Sequence, residues 1–241
     1  MCYTDNIMTS LNNKTVFITG GGSGIGLATA KKFITQGANA VVFTKTPLSR
    51  TDELLSERAL IILGDVTKRK QVKDAMRKAL KKFGSLDILI NNAGVAKHED
   101  FLKTAEKDWD FVIDVNIKGV FICMQEFIKL CRASDSCKGN MIINIASGAG
   151  IYGVDKIAVY STTKAAVINI TQGVDEELKN LKMKFVTVCP GATNTGMFKG
   201  LFPKEKPYHT PEQVADVIYK TSVGEIKPDE RLIVDVFHHI H

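Results

Sequence analysis

Short apolar runs alternate along the chain with longer stretches in which apolar residues recur at helical spacing. The runs are rich in Val, Ile and Leu, which is typical of strands covered on both faces of a parallel sheet. The predicted strands are Lys14–Thr19, Ala40–Thr44, Ala59–Leu63, Asp87–Ile90, Asn140–Ala146, Met183–Val188 and Arg231–Val236. The predicted helices are Gly24–Gln36, Lys68–Phe83, a long region with or without a break at Lys107–Arg132, Val159–Asn180 and Pro211–Thr221.

This order of elements predicts the α/β class: a single-domain, doubly wound Rossmann fold with a seven-stranded parallel sheet and helices on both faces. One such domain accommodates the whole chain, residues 1–241. Ligands of doubly wound sheets bind at the carboxyl ends of the strands. The candidate functional residues are therefore those that directly follow strands.

Composition narrows the class of protein. Hydrophobic residues make up 44% of the chain and charged residues 24%, which excludes disorder as the main state. We expect no membrane partner and a cytoplasmic location, because no apolar stretch approaches the roughly 18–20 residues that cross a bilayer and no secretory signal is recognisable. The five cysteines are odd in number and lack Cys-x-x-Cys spacing, which favours buried thiols such as Cys123 and Cys189 over disulfides or zinc.

The net charge of +6 is concentrated on one predicted helix. Lysines and arginines surround an apolar stripe between Lys68 and Lys82, which indicates a solvated helix face rather than a surface for nucleic acid. We expect no nucleic-acid partner. We also expect no metal site at the terminal histidines His238, His239 and His241.

A glycine-rich turn, Thr19–Gly26, follows the first predicted strand and opens the first helix. Glycines let the backbone approach a pyrophosphate closely, and the helix N-terminus offers free N–H groups. The glycines Gly20, Gly24 and Gly26 do not match the G-x-G-x-x-G fingerprint. Their position between strand and helix nevertheless predicts a nucleotide site.

The end of the second strand indicates which nucleotide binds. Sites for NAD place an acidic residue about 20 residues past the glycines, where it binds the ribose 2′-hydroxyl. This chain has Thr44 and Lys45 there instead. Lys45 can pair with a 2′-phosphate, so the sequence predicts NADP, with NAD or the use of either cofactor as the alternative.

A candidate catalytic group follows the fifth strand. Tyr160 and Lys164 are four residues apart, on one face of a helix. The lysine ammonium favours the phenolate, so we expect Tyr160 to act as a general acid or base nearer to neutral pH. Ser147 lies 13 residues before Tyr160 and can hold a carbonyl oxygen.

Together these residues resemble the classical short-chain dehydrogenase/reductase (SDR) family, from about Lys14 to Val236. The motifs that carry the resemblance are Thr19–Gly26, Asp65-Val66, Asn91–Gly94, Asn116, Ser147, Tyr160, Lys164 and Pro190-Gly191 followed by Thr195. The resemblance implies that Tyr160 transfers a proton, that Lys164 lowers the pKa of Tyr160 and holds the nicotinamide ribose, that Ser147 orients the carbonyl, and that Asn116 holds a water of a proton relay.

The resemblance also implies the cofactor contacts. Besides Thr44, Lys45, Tyr160 and Lys164, they are Gly20, Ser23, Gly24, Ile25 and Gly26 for the phosphates, Asp65 and Val66 for the adenine, Asn92, Ala93 and Gly94 for the ribose, and Pro190, Gly191, Thr193 and Thr195 for the nicotinamide amide and the diphosphate.

The family builds a substrate lid at about residues 196–210, which are few here and carry both apolar side chains and lysines. The predicted substrate contacts are Ser147, Ala149, Ile151, Tyr160 and Met197. The lid lysines suit a substrate with a negative group or are simply solvated.

We therefore expect an NADP(H)-preferring oxidoreductase that transfers a hydride between the nicotinamide cofactor and a ketone or secondary alcohol. The alternatives are an NAD-dependent alcohol dehydrogenase of the same family and a non-catalytic, nucleotide-sensing regulator, against which Asn116, Ser147, Tyr160 and Lys164 argue. The partners expected are a small-molecule carbonyl or alcohol and further copies of the chain, as a homodimer or homotetramer. The family's glycine-rich tail, which supports a tetramer contact, is missing here.

Overall fold

The structure is a computed structural model that describes residues 11–48, 54, 56–133, 137 and 139–240. Its centre is a seven-stranded sheet in the order β3-β2-β1-β4-β5-β6-β7, and every neighbouring pair is parallel. The strands are β1 (Thr15–Thr19), β2 (Asn39–Thr44), β3 (Ala59–Leu63), β4 (Ile88–Asn91), β5 (Met141–Ile145), β6 (Lys184–Cys189) and β7 (Ile233–Asp235). The predicted doubly wound sheet is confirmed.

Helices cover both faces of the sheet. They are α1 (Gly24–Thr35), α2 (Arg69–Phe83), α3 (Glu106–Ile113), α4 (Gly119–Ala133), α5 (Ala158–Leu178), α6 (Gly196–Leu201), α7 (Pro211–Ser222) and α8 (Phe237–Ile240). Alternate residues of β1 serve the two cores: Phe17 packs with residues of α2, α4 and α5, whereas Val16 and Ile18 pack with residues of α1 and α7. Strands buried on both faces explain the continuous apolar runs in the sequence.

The break in the long helical region is a π-helical turn, Asp114–Lys118, between α3 and α4. Such turns are rare and are frequent at functional sites. This one places Asn116 inside the molecule, fully buried. The turn therefore aims a polar side chain at the carboxyl ends of the central strands.

On α2, Val72, Ala75, Met76 and Ala79 are buried and the lysines lie around them, as the pattern predicts. Within the described part of the chain, no helix is long and apolar enough to span a bilayer, and no cluster of metal-binding side chains occurs. His241 and Cys2 lie outside the described residues.

Candidate active site

The glycine turn after β1 lies at the point where the strand order reverses, between β1 and β4. Gly20 has a φ of +65°, a conformation that favours glycine. A Cβ on Gly26 would lie 2.5 Å from the Gly20 carbonyl oxygen and 2.5 Å from the Asn92 amide nitrogen. Only a chain without side chains at these positions can wind this tightly, which leaves backbone N–H groups at the start of α1 for an anion.

Asn92, which follows β4, fastens this turn. Its side-chain amide donates to the carbonyl oxygens of Thr19 and Gly20 at 3.0 and 3.1 Å. The Thr19 hydroxyl accepts bonds from the backbone N–H groups of Asn92 and Ala93, both at 3.0 Å. The sequence prediction had no role for Thr19, although a hydroxyl residue at the end of a buried strand was a usable signal.

The ends of β2 and β3 meet beside the glycine turn. Thr44 is buried, and its hydroxyl donates to the Thr46 carbonyl at 3.0 Å. Lys45 is 71% exposed along its side chain, and its Nζ lies 2.8 Å from Oδ2 of Asp65. Partial burial disfavours the charged carboxylate, but hydrogen bonds from Lys45 and Thr67 outweigh this and lower the pKa of Asp65 to about 2. Asp65 is thus a fixed anion at this corner.

The candidate catalytic side chains converge at the end of β5. Lys164 is buried; its Nζ donates to the Ile145 carbonyl at 2.8 Å and lies 5.6 Å from the centroid of the Tyr160 ring. Ser147 follows β5, and its hydroxyl oxygen accepts the Ala149 N–H at 3.1 Å. Tyr160, in the first turn of α5, is half-buried as a whole residue. The structure therefore brings together all three residues that the spacing selects.

The protonation of this group differs from the expectation. Burial lowers the pKa of Lys164 to about 8. Burial also raises the pKa of Tyr160 to about 12, and a hydrogen bond with Ser147 opposes only part of that rise. The expected lowering of the Tyr160 pKa is wrong for this structure, because removing the phenolate from water costs more than its neighbours return. At neutral pH the phenol is protonated and can donate its proton.

Asn116 serves the site indirectly. Its Oδ1 accepts the Val95 N–H at 2.8 Å, and its Nδ2 donates to the Val95 carbonyl at 2.9 Å and to the Thr163 hydroxyl at 3.0 Å. These bonds tie the loop after β4 to α5. Through these bonds Asn116 is a positioning residue, and its role in holding a relay water stays a prediction.

The loop after β6 closes the other side of the site. The Pro190 carbonyl accepts the Gly148 N–H at 2.9 Å, which ties this loop to the one that carries Ser147. Thr193 is buried and its hydroxyl donates to the Gly191 carbonyl at 3.0 Å. Gly191 lies against His209, a buried residue that the sequence prediction missed.

Thr195 links this loop to the glycine turn. Its hydroxyl accepts the Phe198 N–H at 3.2 Å and so caps α6. A Cβ on Gly24 would lie 3.1 Å from the Thr195 methyl group. The predicted diphosphate residues from both ends of the sequence are therefore neighbours. Val66 is the residue that the family resemblance assigns to the adenine. Its side chain is buried against Gly119 at the start of α4.

The lid contains α6. Met197 is 41% exposed in its first turn, while Ala149 and Ile151 lie partly buried beside Ser147. The Phe202 ring lies 5.2 Å from that of His98, edge to face, so the lid touches the loop after β4. No pattern in the sequence pointed to His98. Cys189, at the end of β6, lies near Ser147 and Lys164, and burial raises its thiol pKa to about 12.

Comparison with known proteins identifies the family of this chain. A profile of the short chain dehydrogenases matches residues 14–206. An uncharacterized oxidoreductase of Thermotoga maritima is 32% identical over 210 residues, which cover 85% of this chain and 80% of that protein.

Two solved structures carry the cofactor that the glycine turn predicts. The 3-ketoacyl-(acyl-carrier-protein) reductase from Brucella melitensis complexed with NADH superposes with a TM-score of 0.81 at 28% identity, covering 94% of this chain and 98% of that one. ElxO with NADP bound superposes with a TM-score of 0.77 at 26% identity, covering 95% and 99%. With its sheet order, its glycine turn and its Ser147–Tyr160–Lys164 group, this chain belongs to the short-chain dehydrogenase/reductase family and is an oxidoreductase that uses a nicotinamide cofactor.

Proposed function

We propose that this protein is an NADP(H)-preferring reductase of a ketone, and that Tyr160 gives the proton to the carbonyl oxygen. The observation that carries the proposal is the convergence of Tyr160, Ser147 and the buried Lys164 at the end of β5, where burial raises the pKa of Tyr160 and so keeps its proton on the phenol. The same group works in reverse on a secondary alcohol. The protonated phenol is the form that reduction requires, because a general acid must carry its proton before the reaction.

The residues present fit a dinucleotide. The turn between β1 and α1 has no room for side chains at Gly20 and Gly26, so backbone N–H groups are free to face a diphosphate. Thr195 approaches the same turn, and a Cβ on Gly94 would lie 3.5 Å from the Lys164 Nζ. When bound, the nicotinamide supplies the hydride. Gly20–Gly26 and Thr195 would hold its phosphates, and Lys164 its ribose.

The proton steps follow from the hydrogen bonds in the site. The Ser147 oxygen accepts the Ala149 N–H, and its hydroxyl hydrogen, which bonds Tyr160 in this structure, would turn to the carbonyl oxygen of a bound substrate. Tyr160 donates its proton to that oxygen as negative charge develops there. The ammonium of Lys164, with a pKa of about 8, is charged at neutral pH and stabilises the phenolate that remains.

The preference for NADP(H) rests on the end of β2. The positions where a carboxylate would bind the 2′-hydroxyl of NAD hold Thr44, Lys45 and Thr46. A carboxylate there would repel a 2′-phosphate, whereas Lys45 attracts one. The solved relatives include both an NADH and an NADP complex, so the argument depends on this chain's own residues.

The surroundings of the site support a small carbonyl compound as substrate. The exposed part of Met197 and the partly buried Ala149 and Ile151 give the cleft apolar walls. The lid lysines Lys199, Lys204 and Lys206 would favour a substrate with a negative group. The remaining parts of the proposal are a cytoplasmic location and a homodimer or homotetramer.

Three measurements test the proposal. Binding of NADPH and NADH, followed by nicotinamide fluorescence, gives the cofactor preference. Tighter binding of NADH than of NADPH would overturn the proposed cofactor preference. Oxidation of NADPH in the presence of a panel of ketones shows whether the protein reduces a ketone. Replacing the lid lysines by Ala should raise KM for an acidic ketone and leave KM for a neutral one unchanged; equal KM values for the acidic ketone would remove the anionic-substrate idea.

A further inference from the structure

We propose that Asp65 is a positioning residue for cofactor selectivity: it holds the ammonium of Lys45 where the 2′-phosphate of NADP(H) binds. The inference rests on the proposed NADP(H) preference and assigns it to a pair of residues rather than to Lys45 alone. Asp65 thus has a role toward the 2′-phosphate in addition to the adenine contact that the family resemblance implies.

Asp65 is itself held firmly. Its Oδ1 accepts two bonds from Thr67, one from the backbone N–H at 2.9 Å and one from the hydroxyl at 2.8 Å. Its own N–H donates to Oε1 of Gln71 at 2.8 Å. The carboxylate is only 18% exposed, and its second oxygen points to Lys45. The two Thr67 bonds thus fix the carboxylate independently of Lys45.

Lys45 is a side chain that needs an anchor. It is 71% exposed, and a lysine stem free in solvent carries about 2 kcal/mol of rotamer entropy. The 2.8 Å bond to Asp65 restricts the Lys45 side chain to the rotamers that reach this carboxylate. An ammonium has three N–H donors, so a bond to Asp65 leaves donors for a phosphate. Pre-ordering Lys45 therefore lowers the cost of its contact with the cofactor.

The Lys45–Asp65 pair lies at the ends of β2 and β3, beside the glycine turn. Gly64, at the end of β3, donates its N–H to the Thr44 carbonyl at 2.9 Å, which joins the ends of β2 and β3. A Cβ on Gly22 would lie 2.7 Å from the Thr44 hydroxyl and 3.4 Å from the Thr46 carbonyl. Lys45 thus lies between the phosphate-binding turn and Asp65, where the adenosine half of a dinucleotide binds.

Asp65 can also be read as a competitor that withholds Lys45 from the phosphate. The two roles predict opposite changes in the contribution of Lys45 to NADPH selectivity when Asp65 is replaced. If Asp65 positions Lys45, then Lys45 contributes less to NADPH selectivity once Asp65 is replaced. If Asp65 competes, Lys45 contributes more.

A double-mutant cycle measures the sign of this change. The wild-type protein, Lys45→Ala, Asp65→Asn and the double variant are titrated with NADPH and with NADH, and selectivity is the ratio of the two Kd values. The adenine contact of Asp65 cancels in this ratio. Direct repulsion between Asp65 and the phosphate is present with and without Lys45, so it cancels in the cycle.

We expect Lys45→Ala to lower NADPH selectivity at least about tenfold in the wild-type background, the loss of one charge-assisted hydrogen bond. In the Asp65→Asn background we expect a loss of less than about threefold. Asp74→Asn, which removes a carboxylate bonded to Lys70 at 2.7 Å on α2, is the matched control and should leave the Lys45 effect unchanged. Thr67→Ala removes one bond that orients Asp65. In that background, the loss of NADPH selectivity on Lys45→Ala should lie between the losses in the wild-type and Asp65→Asn backgrounds. Thr67→Ala takes the place of Asp65→Asn in the cycle if Asp65→Asn does not fold.

An equal or larger Lys45 effect without Asp65 overturns the positioning role, and so does a wild-type protein that prefers NADPH but loses no selectivity in Lys45→Ala. A wild-type protein that binds NADH more tightly refutes the proposed cofactor preference itself, which is a separate result.

Discussion

The buried ammonium of Lys164 should cost the folded protein stability, and this cost can be measured. Burial moves the pKa of Lys164 from 10.5 to about 8, which corresponds to roughly 3 kcal/mol against the charged form. Lys164→Met keeps most of the apolar stem and removes the charge. The variant loses the bond to the Ile145 carbonyl, which offsets about 1 kcal/mol. We expect Lys164→Met to be more stable than the wild type by about 2 kcal/mol at pH 7.

The dependence on pH has a definite sign. Below pH 8 the folded protein holds Lys164 charged, and the full cost is present. Between pH 8 and 10.5 the unfolded chain binds more protons than the folded one, so wild-type stability rises with pH. Above 10.5 the lysine is neutral in both states and the cost is gone. The advantage of Lys164→Met should therefore shrink across this window.

Urea unfolding of both proteins at several pH values between 7 and 10.5 tests this reasoning, because groups common to both cancel in the difference. Lys73→Met, on the exposed face of α2, is the control and should show no such trend. A Lys164→Met protein less stable than the wild type at pH 7, or a difference that does not change with pH, would refute the argument that burial dominates at Lys164. The variant should also lose turnover, which separates the stability of this side chain from its function.

Three other predictions follow from particular contacts. Gly26→Ala should weaken binding of both NADPH and NADH by tenfold or more, because its Cβ would lie 2.5 Å from the Gly20 carbonyl; titration by fluorescence checks this, and unchanged affinity would contradict the tight turn. The kcat/KM for ketone reduction should be flat below about pH 8 and fall above it as Lys164 loses its proton, and a profile flat to pH 10 would contradict that role. Asn116→Leu should destabilise the protein by about 2–4 kcal/mol in urea unfolding, because it strands the Val95 and Thr163 polar groups, and a neutral effect would contradict the positioning role.

The pattern of the sequence predicted the elements that burial dominates. Ala40–Thr44 was found nearly to the residue, because a strand covered on both faces must be continuously apolar. Ala59–Leu63 was also found from its apolar run, although this edge strand is only partly buried. The site residues that depend on spacing along one element, Tyr160 and Lys164, were found for the same kind of reason. Gly20 and Gly26 were found because the close approach of two backbones excludes every other residue.

The remainder depends on contacts between distant segments, which no local pattern contains. Lys45 and Asp65 end different strands, so their ion pair appears only once the sheet is assembled. The pKa of Tyr160 was expected in the wrong direction, because a favourable neighbour is visible in the sequence but the degree of burial is not. His98 and Phe202 meet across about 100 residues of chain through the lid, and neither has a distinctive surrounding sequence.

The central claim is that Tyr160 protonates a ketone while NADPH is oxidised, and Tyr160→Phe tests it most directly. The rate of NADPH oxidation is measured at the nicotinamide absorbance with ethyl acetoacetate, cyclohexanone and diacetyl, and NADPH affinity is measured in parallel. We predict a fall in turnover of at least about 100-fold in Tyr160→Phe, the usual contribution of a general acid, with a Kd for NADPH close to that of the wild type. Turnover within tenfold of the wild type would contradict the claim.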